Sequence, residues 1–267
     1  MPLLLDHAVI LVNDLDAAIA DYSALGFTVR RGGTHADGAT HNALVGFSDG
    51  SYLELIAFLL HDSGHRWDAA AARGREGFID FALLPDSVAA VVEGARSRGL
   101  AYQGPMDGGR LRPDGERLQW QTGTPPTPDL PFLCGDVTPR ALRVPEGDVR
   151  VHANGVLGVA AITLAVADLA ASLARWQALL GPQLMATEQP LALPGLGLQQ
   201  AVLPLGNTRL VLVAPGPDAA DSAALRAHLA GRGEGLLGMA LSGPSDVPAQ
   251  ALPRLQSHGA AFEIVPG

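Results

Sequence analysis

Residues 8–27, AVILVNDLDAAIADYSALGF, recur in altered form as residues 162–181, ITLAVADLAASLARWQALLG. A constant offset of 154 positions pairs Asp168 with Asp14 and keeps the apolar residues of both copies in step. Each copy begins with an apolar run, continues with an aspartate that can cap a helix, and then shows apolar residues at helical spacing before a glycine. The repeat predicts that one strand–helix unit occurs at least twice in the chain.

The first copy continues into a complete βαβββ module. Asp49-Gly50 lies between two apolar stretches and is a strong signal for a hairpin turn. The glycine-rich stretch between the helix and that hairpin is expected to be a loop. The predicted segments after the helix are a short strand at 27–30, the loop at 31–40, and hairpin strands at 42–48 and 51–58.

Three further modules follow from the same pattern. Placing Gly99 and Gly259 on Gly26, the glycine that ends the first helix, starts module two near residue 77 and module four near residue 235. Module three contains the second copy and ends in a hairpin that turns at Gly206-Asn207. Module four is predicted to have a helix before Gly259 and to lack its closing hairpin.

These modules predict an α+β fold built from two halves. Proline and glycine are frequent at 138–155, which favours a linker there. The predicted domains are residues 1–145, with modules one and two, and residues 146–267, with module three and a truncated module four. Units of this length that are not identical favour paired sheets over a solenoid or a propeller.

The composition excludes several classes of function. Hydrophobic residues make up 48% of the 267 positions, which is enough for a sizeable core. The net charge of -9 argues against nucleic-acid binding, because that needs clustered lysine and arginine. No apolar run approaches the roughly 20 residues of a membrane span, and the first residues do not resemble a secretory signal. The single cysteine, Cys134, fits a reducing compartment, so we predict a cytoplasmic protein.

Four short stretches carry a resemblance to a known family. They are residues 5–7 (LDH), 38–44 (GATHNAL), 52–56 (YLELI) and 152–155 (HANG). With the repeated module, they resemble the glyoxalase-like domain family of the vicinal oxygen chelate (glyoxalase/bleomycin resistance/extradiol dioxygenase) superfamily. The resemblance extends over nearly the whole chain. It implies that the modules pair into curved mixed β-sheets, which form half-barrels around a cavity with helices packed outside.

The resemblance also implies a metal site, because the superfamily takes metal ligands from the first and last strands of a module. In module one these positions are His7 and Glu54, and the alignment places Asp80 at the first position of module two. These ligands suit Zn, Mn, Fe, Ni or Co, and such a metal can chelate two adjacent substrate oxygens and stabilise an enolate. Asp80 would be a further ligand or a general base. The equivalent positions of the C-terminal half are apolar: Ala161, Ala240 and Val211.

Module two departs from the family pattern, and this leaves alternatives open. Its predicted last strand carries no glutamate and offers Cys134 or Asp136 instead. An arginine or a tyrosine could satisfy Glu54 without any metal, and an arginine could pair with Asp80. His7 could equally be a hydrogen-bonded histidine of the core.

Four more residues are candidates for substrate binding. His41 and Asn42 are neighbours on a predicted strand, so one of them faces the cavity, and the family pattern favours Asn42. His35 lies in the predicted loop and could cover the mouth of the cavity. Trp120 could form an aromatic wall, although packing in the core explains it equally well.

Two functions are consistent with these residues. The first is a metal-dependent enzyme that acts on a small molecule with vicinal oxygens by isomerisation, lyase chemistry or ring opening. The second is a non-catalytic protein that sequesters a small molecule, such as an antibiotic, in a metal-free cavity. The apolar C-terminal half is expected to dock on the first half or on another subunit, as in a homodimer.

Overall fold

The computed structural model describes residues 3–112, 114–181, 190–216 and 222–267. It confirms the predicted α+β fold, because both halves consist of curved mixed β-sheets with helices packed against them. Within these ranges no helix is long and apolar enough to span a membrane.

Modules one and two provide eight strands that close into a barrel. The strands are β1 (Leu4–Leu11), β2 (Arg30–His35), β3 (Thr40–Gly46), β4 (Tyr52–Phe58), β5 (Gly77–Leu84), β6 (Gln103–Leu111), β7 (Arg117–Thr124) and β8 (Phe132–Asp136). Their order around the barrel is β1-β4-β3-β2-β6-β7-β8-β5. The helices of this half and of the linker are α1 (Leu15–Ala24), α2 (Asp68–Ala71), α3 (Val88–Ser97) and α4 (Arg140–Arg143).

Strand β2 corrects the prediction of a loop at 31–40. It pairs with β3 along one edge, and through Thr34 and His35 it pairs with β6 along the other. Gly33 has a φ of +131°, and a Cβ there would lie 2.5 Å from the carbonyl oxygen of Leu111 on β6. The glycines therefore allow two strands to approach closely. In the sequence, the same glycines resemble those of a loop. This pairing closes the sheet, which the expected half-barrel would have left open.

Modules three and four form an open sheet of seven strands. Their elements are β9 (Gly158–Ala165), α5 (Leu169–Leu180), β10 (Leu191–Leu193), β11 (Leu198–Leu205), β12 (Thr208–Pro215), α6 (Ala223–Arg232), β13 (Gly235–Gly243), β14 (Gln250–Ala251) and β15 (Phe262–Pro266). The strand order is β10-β11-β12-β9-β13-β15-β14. The hairpin of β11 and β12 has the turn that the sequence predicts.

Module four departs from its prediction. The stretch before Gly259 forms turns instead of a helix, and Pro248 and Pro253 interrupt any helical hydrogen bonding there. Strand β15 pairs in parallel with β13, just as β4 pairs in parallel with β1. Strand β15 and the two-residue β14 thus occupy the edge of the open sheet beside β13, where the closing hairpin of module four was expected to be missing.

The strand pairing confirms the alignment of the two copies. In the barrel, Glu54 on β4 is the register partner of Val9 on β1. In the open sheet, Val211 on β12 is the partner of Thr163 on β9. These pairs correspond under the sequence offsets. Differences between the halves can therefore be compared position by position.

The two halves pack together through a continuous apolar core. The ring of Trp176 on α5 stacks on Phe81 of β5 with centroids 6.2 Å apart, and both side chains are buried. The indole of Trp176 donates to the carbonyl of Asp129, and the Asp129 carboxylate accepts from Ser172 and Arg175 of α5. The open sheet thus supports the outside of the barrel, while the domain boundary at 145 stays a prediction.

Candidate functional site

The barrel encloses a cavity of about 540 Å³. This volume is typical of a site for a small organic molecule. One wall comes from the connection between β4 and β5, which contributes Arg66 and Trp67. Together with Trp67, three more aromatic side chains line the cavity, namely Tyr52, Trp120 and Phe132.

A bulge in β1 brings Asp6 and His7 together. Leu5 pairs with Leu83 and His7 with Ala82, so Asp6 is an extra residue on the β1 side. Neighbouring side chains on a regular strand point to opposite faces, but a bulge re-aims one of them. The Asp6 carboxylate consequently lies 2.8 Å from Nδ1 of His7. This contact orients the imidazole and leaves Nε2 directed into the cavity.

Glu54 on β4 is the second polar centre of the cavity. Its Oε2 atom lies 3.4 Å from Nε2 of His7, and its Oε1 atom lies 3.5 Å from Nε2 of His35. The amide nitrogen of Asn42 donates to the same Oε1 atom. His35 is held in turn by a 2.7 Å contact between its Nδ1 atom and the Thr40 hydroxyl. A buried carboxylate is thus surrounded by nitrogen atoms, which satisfies it without a metal.

The linker between the halves reaches back into the barrel. Arg143 of α4 contacts Asp6 through Nη1 at 2.8 Å and donates to the Tyr52 hydroxyl at 2.7 Å. Arg140, one turn earlier, reaches the other oxygen of Asp6 at 2.6 Å. Asp136 at the end of β8 accepts from both arginines. The support of His7 therefore depends on a segment far from it in sequence.

These contacts set the charge of the central pair. Burial alone would raise the pKa of Glu54, but hydrogen bonding and charge from His7, with Asn42 and His35, lower it to about 2. Burial would lower the pKa of His7, but its contacts with Asp6 and Glu54 raise it above the usual value. For Asp6, the charge of Arg143 and the hydrogen bond to His7 overcome burial and lower the pKa. The geometry thus favours an imidazolium between two carboxylates.

The sequence matches the glyoxalase-like domain family over residues 5–180. That stretch contains the site and the whole barrel except Leu4, the first residue of β1. The chain belongs to the glyoxalase-like domain family. The resemblance predicted from the short motifs is therefore confirmed. No curated protein matches the sequence.

Solved structures share the glyoxalase-like fold over most of this chain. A hypothetical protein from Staphylococcus aureus has a TM-score of 0.72 at 13% identity, with 99% of both chains covered. A mutant of 4-hydroxymandelate synthase from Streptomyces coelicolor has a TM-score of 0.61 at 13% identity, covering 91% of this chain and 71% of the other. A xylose isomerase-like TIM barrel/4-hydroxyphenylpyruvate dioxygenase fusion protein has a TM-score of 0.56 at 16% identity, covering 92% and 37%. At these identities the likeness shows the fold alone.

The structure does not bring the third predicted metal ligand of the glyoxalase-like site to the other two. Asp80 pairs in register with Val9, whereas His7 pairs with Ala82, so Asp80 lies two residues farther along β5. That spacing displaces it by roughly 7 Å along the strand. Its carboxylate is instead bound by Arg66 at 2.8 Å and by the Trp67 indole at 3.2 Å. Burial raises the pKa of Asp80, and Arg66 only partly offsets this.

The nitrogen and oxygen donors of the cavity do not converge on one position for a divalent metal. His7 and His35 approach opposite oxygens of Glu54 instead of converging on one point. Across the described ranges, no group of three or more histidine, cysteine, aspartate or glutamate side chains is placed to hold a metal ion. Cys134 adds no donor, because burial raises the pKa of its thiol to about 12. The side chains as arranged do not fit the implied metal.

The other predicted substrate-binding residues divide into two groups. Asn42, His35 and Trp120 line the cavity, and the rings of His35 and Trp120 meet edge to face at 6.1 Å. His41 does not line it, because it precedes Asn42 on β3 and points to the opposite face. The alternation on this strand is the one that the sequence predicts.

Sequence reasoning missed four buried residues of the site. Arg110 follows residues 104–109 (GPMDGG), which give no strand signal, and Arg143 lay in the expected linker. Tyr52 stacks on His7 with ring centroids 4.5 Å apart, but its place in an apolar strand suggested only core packing. Asp6 had a usable signal, since a charged residue beside His7 in an apolar run must find a partner.

Proposed function

We propose that this glyoxalase-like barrel is an enzyme active site that moves a proton between two carbon atoms bearing vicinal oxygens. The observation that carries the proposal is the contact of 3.4 Å between Nε2 of His7 and Oε2 of Glu54 inside the cavity. A proton donor and a carboxylate base held side by side are the two groups that such an isomerisation needs. The substrate class is a small α-hydroxy carbonyl compound.

The two side chains would act in sequence. The imidazolium of His7 donates its Nε2 proton to the carbonyl oxygen while Glu54 removes a proton from the adjacent carbon, which gives an enediol. His7 then takes the proton of the other hydroxyl, and Glu54 returns its proton to the former carbonyl carbon. The carbonyl group and one hydrogen thereby exchange places, and no atom is gained or lost.

Substrate binding would also strengthen the base. In the free protein, His7 is the principal group that keeps the pKa of Glu54 near 2. When Nε2 of His7 turns to a substrate oxygen, Glu54 loses part of that stabilisation and its pKa rises. A base whose pKa approaches the working pH removes a carbon-bound proton more effectively. Asp6 is a positioning residue, because its contact with Nδ1 fixes which nitrogen of His7 faces the substrate.

Solvent exchange tests the proposal directly. The methylene protons of 2-hydroxyacetophenone, an aromatic α-hydroxy ketone, are followed by NMR in D2O with the purified protein. We expect catalysed exchange that falls by about 100- to 10,000-fold in Glu54→Gln and His7→Asn. His41→Asn, outside the cavity, is the matched control. Exchange no faster than in buffer, or equal in both variants and wild type, overturns the proposal.

A metal arm of the same assay addresses the mechanism that the family resemblance implies. We expect exchange to be unchanged after treatment with a chelator and after addition of Zn, Mn, Fe, Ni or Co. The metal-free mechanism would be contradicted if activity required one of these ions and if His7→Ala and Glu54→Ala no longer bound that ion. This result would favour the metal-dependent mechanism.

A second candidate is a binding protein without turnover. The aromatic wall formed by Tyr52, Trp67, Trp120 and Phe132 favours it, because such a wall suits a flat apolar ligand whatever chemistry follows. Ligands that stabilise the fold in thermal denaturation without any proton exchange would support this candidate.

A further inference from the structure

Arg110 is a buried cation of the cavity wall that forms no ion pair with a carboxylate of the described residues. Its side chain lies on β6 and the residue is 4% exposed. The guanidinium donates through Nη1 to the carbonyl of Gly32 and through Nη2 to the carbonyl of Arg143 at 3.4 Å. Among the ion pairs of the described residues, none joins Arg110 to a carboxylate. A guanidinium has five N–H donors, so most of them remain available for a ligand.

Arg110 differs from the other guanidinium groups that lie around the cavity, because each of those has a carboxylate partner. The other cations are each matched within ion-pair distance, His7 by Asp6 and Glu54, and Arg66 by Asp80. Arg140 and Arg143 share Asp6 and Asp136. Two further aspartates, Asp37 and Asp107, line only the exposed rim of the cavity. Within the part of the chain that the structure describes, Arg110 is therefore the guanidinium of this cavity that lies beyond ion-pair distance of any carboxylate.

A polar atom near Arg110 lacks a hydrogen-bond partner among the described residues. The Oδ1 atom of Asn42 is buried and accepts no hydrogen bond, while the amide nitrogen of the same residue donates to Glu54. Asn42 and Arg110 both flank Gly32, where a Cβ would collide with Oδ1 and would lie 2.8 Å from Nη1. A buried acceptor and a buried cation thus lie side by side at one end of the cavity. Each is costly to leave unpaired.

We infer that the ligand of this cavity is an organic acid, with its carboxylate bound by Arg110 and a neighbouring hydroxyl donating to Oδ1 of Asn42. A carboxylate supplies the anion that Arg110 lacks among the described residues and uses the planar donor fork of the guanidinium. The adjacent hydroxyl satisfies the orphaned acceptor. The aromatic wall accommodates an apolar substituent of the acid. This inference rests on the proposed function, since it names the substrate class of the same site.

Three matched probes separate the contributions of the two groups. L- and D-3-phenyllactate carry an aromatic ring, a hydroxyl and a carboxylate. The corresponding amides, 3-phenyllactamide, remove only the charge, and 3-phenylpropionate removes only the hydroxyl. Binding to the intact protein is measured by isothermal titration calorimetry. We expect one phenyllactate enantiomer to bind about 10- to 100-fold more tightly than its amide and several-fold more tightly than 3-phenylpropionate.

Variants of Arg110 test the origin of that preference. We expect Arg110→Met to abolish the preference for acid over amide and Arg110→Lys to retain part of it. Arg150→Met is the matched control, because Arg150 likewise donates to backbone carbonyls but lies outside the cavity. If Arg110→Met does not fold, the acid-to-amide ratio of the wild type and of Arg110→Lys decides the question.

Equal binding of acid and amide by the wild type, or an acid preference that survives in Arg110→Met, overturns the inference. Failure of every acid probe to bind at millimolar concentration also overturns it. The two proposals fail separately. Acid binding that depends on Arg110 without proton exchange would contradict only the proposed function. Proton exchange on neutral α-hydroxy ketones without any preference for acids would contradict only the inference about Arg110.

Discussion

The two halves of this protein differ in what lies against the inner face of their equivalent strands. In the barrel, the inner face of β1 and β4 carries His7 and Glu54 beside a cavity. In the open sheet, the equivalent positions on β9 and β12 are Ala161 and Val211, and helix α6 packs on this face through Leu225. The same repeated module thus surrounds a polar cavity in one half, whereas in the other half it packs against an apolar helix face.

The connection before the second module of each pair explains much of this difference. Between β4 and β5, the chain forms only the single turn of α2, and Trp67 and Ala70 cover one end of the barrel. Between β12 and β13, the ten-residue helix α6 lies across the sheet face. The single turn of α2 leaves the cavity beside His7 and Glu54 polar, whereas α6 covers the equivalent sheet face and, with Leu225 and Val213, lines a separate cavity of about 550 Å³. The fold alone therefore does not determine where a site lies.

The largest expected effect comes from breaking the cluster of buried charges around Asp6 in the barrel. Arg143→Met leaves the buried carboxylate of Asp6 with less compensation, and we expect a loss of about 3–5 kcal/mol in the free energy of unfolding. Urea denaturation measures it. Arg140→Met removes a more exposed partner of the same carboxylate and should cost less. Equal losses in both variants would contradict the central place of Arg143.

A core truncation in the other half sharpens the comparison. Leu225 of α6 is 8% exposed and packs on the open sheet, so we expect Leu225→Ala to reduce the free energy of unfolding by about 2–5 kcal/mol. Proton exchange in the barrel should persist below the lowered melting temperature. Leu255→Ala, at a residue 91% exposed, is the control and should have little effect on stability. Loss of exchange in folded Leu225→Ala would show that the halves do not act separately.

Acid should destabilise the barrel through Glu54. Its pKa is 4.5 ordinarily and about 2 in the folded protein, so its contribution is complete above pH 4.5 and is lost as the pH falls towards 2. The Glu54 part of the slope of stability against pH reaches at most about 1.4 kcal/mol per pH unit. We expect Glu54→Gln to flatten the slope in this window, as measured by urea denaturation. The exposed Glu263 provides the control Glu263→Gln, which should retain the wild-type slope.

The smallest expected effect distinguishes the two faces of β3. His41 is partly exposed and lies outside the cavity, so His41→Ala should change stability by no more than about 0.5 kcal/mol and leave ligand affinity unchanged. Its neighbour Asn42 lines the cavity, and Asn42→Ala should weaken acid binding severalfold in the same calorimetric titration. A larger effect from His41 than from Asn42 would reverse the assigned faces.

The repeat made much of the fold predictable. The helices α1 and α5 begin after Asp14 and Asp168, whose side chains accept from backbone amides as the sequence predicts. The hairpins of modules one and three also follow from local turn signals. The prediction was wrong at β2, because glycine in a strand cannot be distinguished by sequence from glycine in a loop. It was wrong in module four, because a segment of turns there has apolar residues at helical spacing.

The candidate site was only partly accessible from the sequence. The structure places His7, Glu54 and Asn42 together as expected, because strand alternation and the family motifs fix their faces. Asp80 separated from them because an alignment without gaps does not fix the register between β1 and β5. Register depends on the bulge and on long-range pairing, which local patterns do not encode.

The sequence by itself determined the number and order of the modules and the face of β3 that lines the cavity, since these depend on periodicity and local turn chemistry. Tertiary structure decided which charges meet. Arg143 reaches Asp6 across 137 positions of sequence, and Arg110 reaches Gly32 across 78. Whether a buried charge is neutralised depends on distances of a few ångströms between such segments, and those distances are set when the barrel closes.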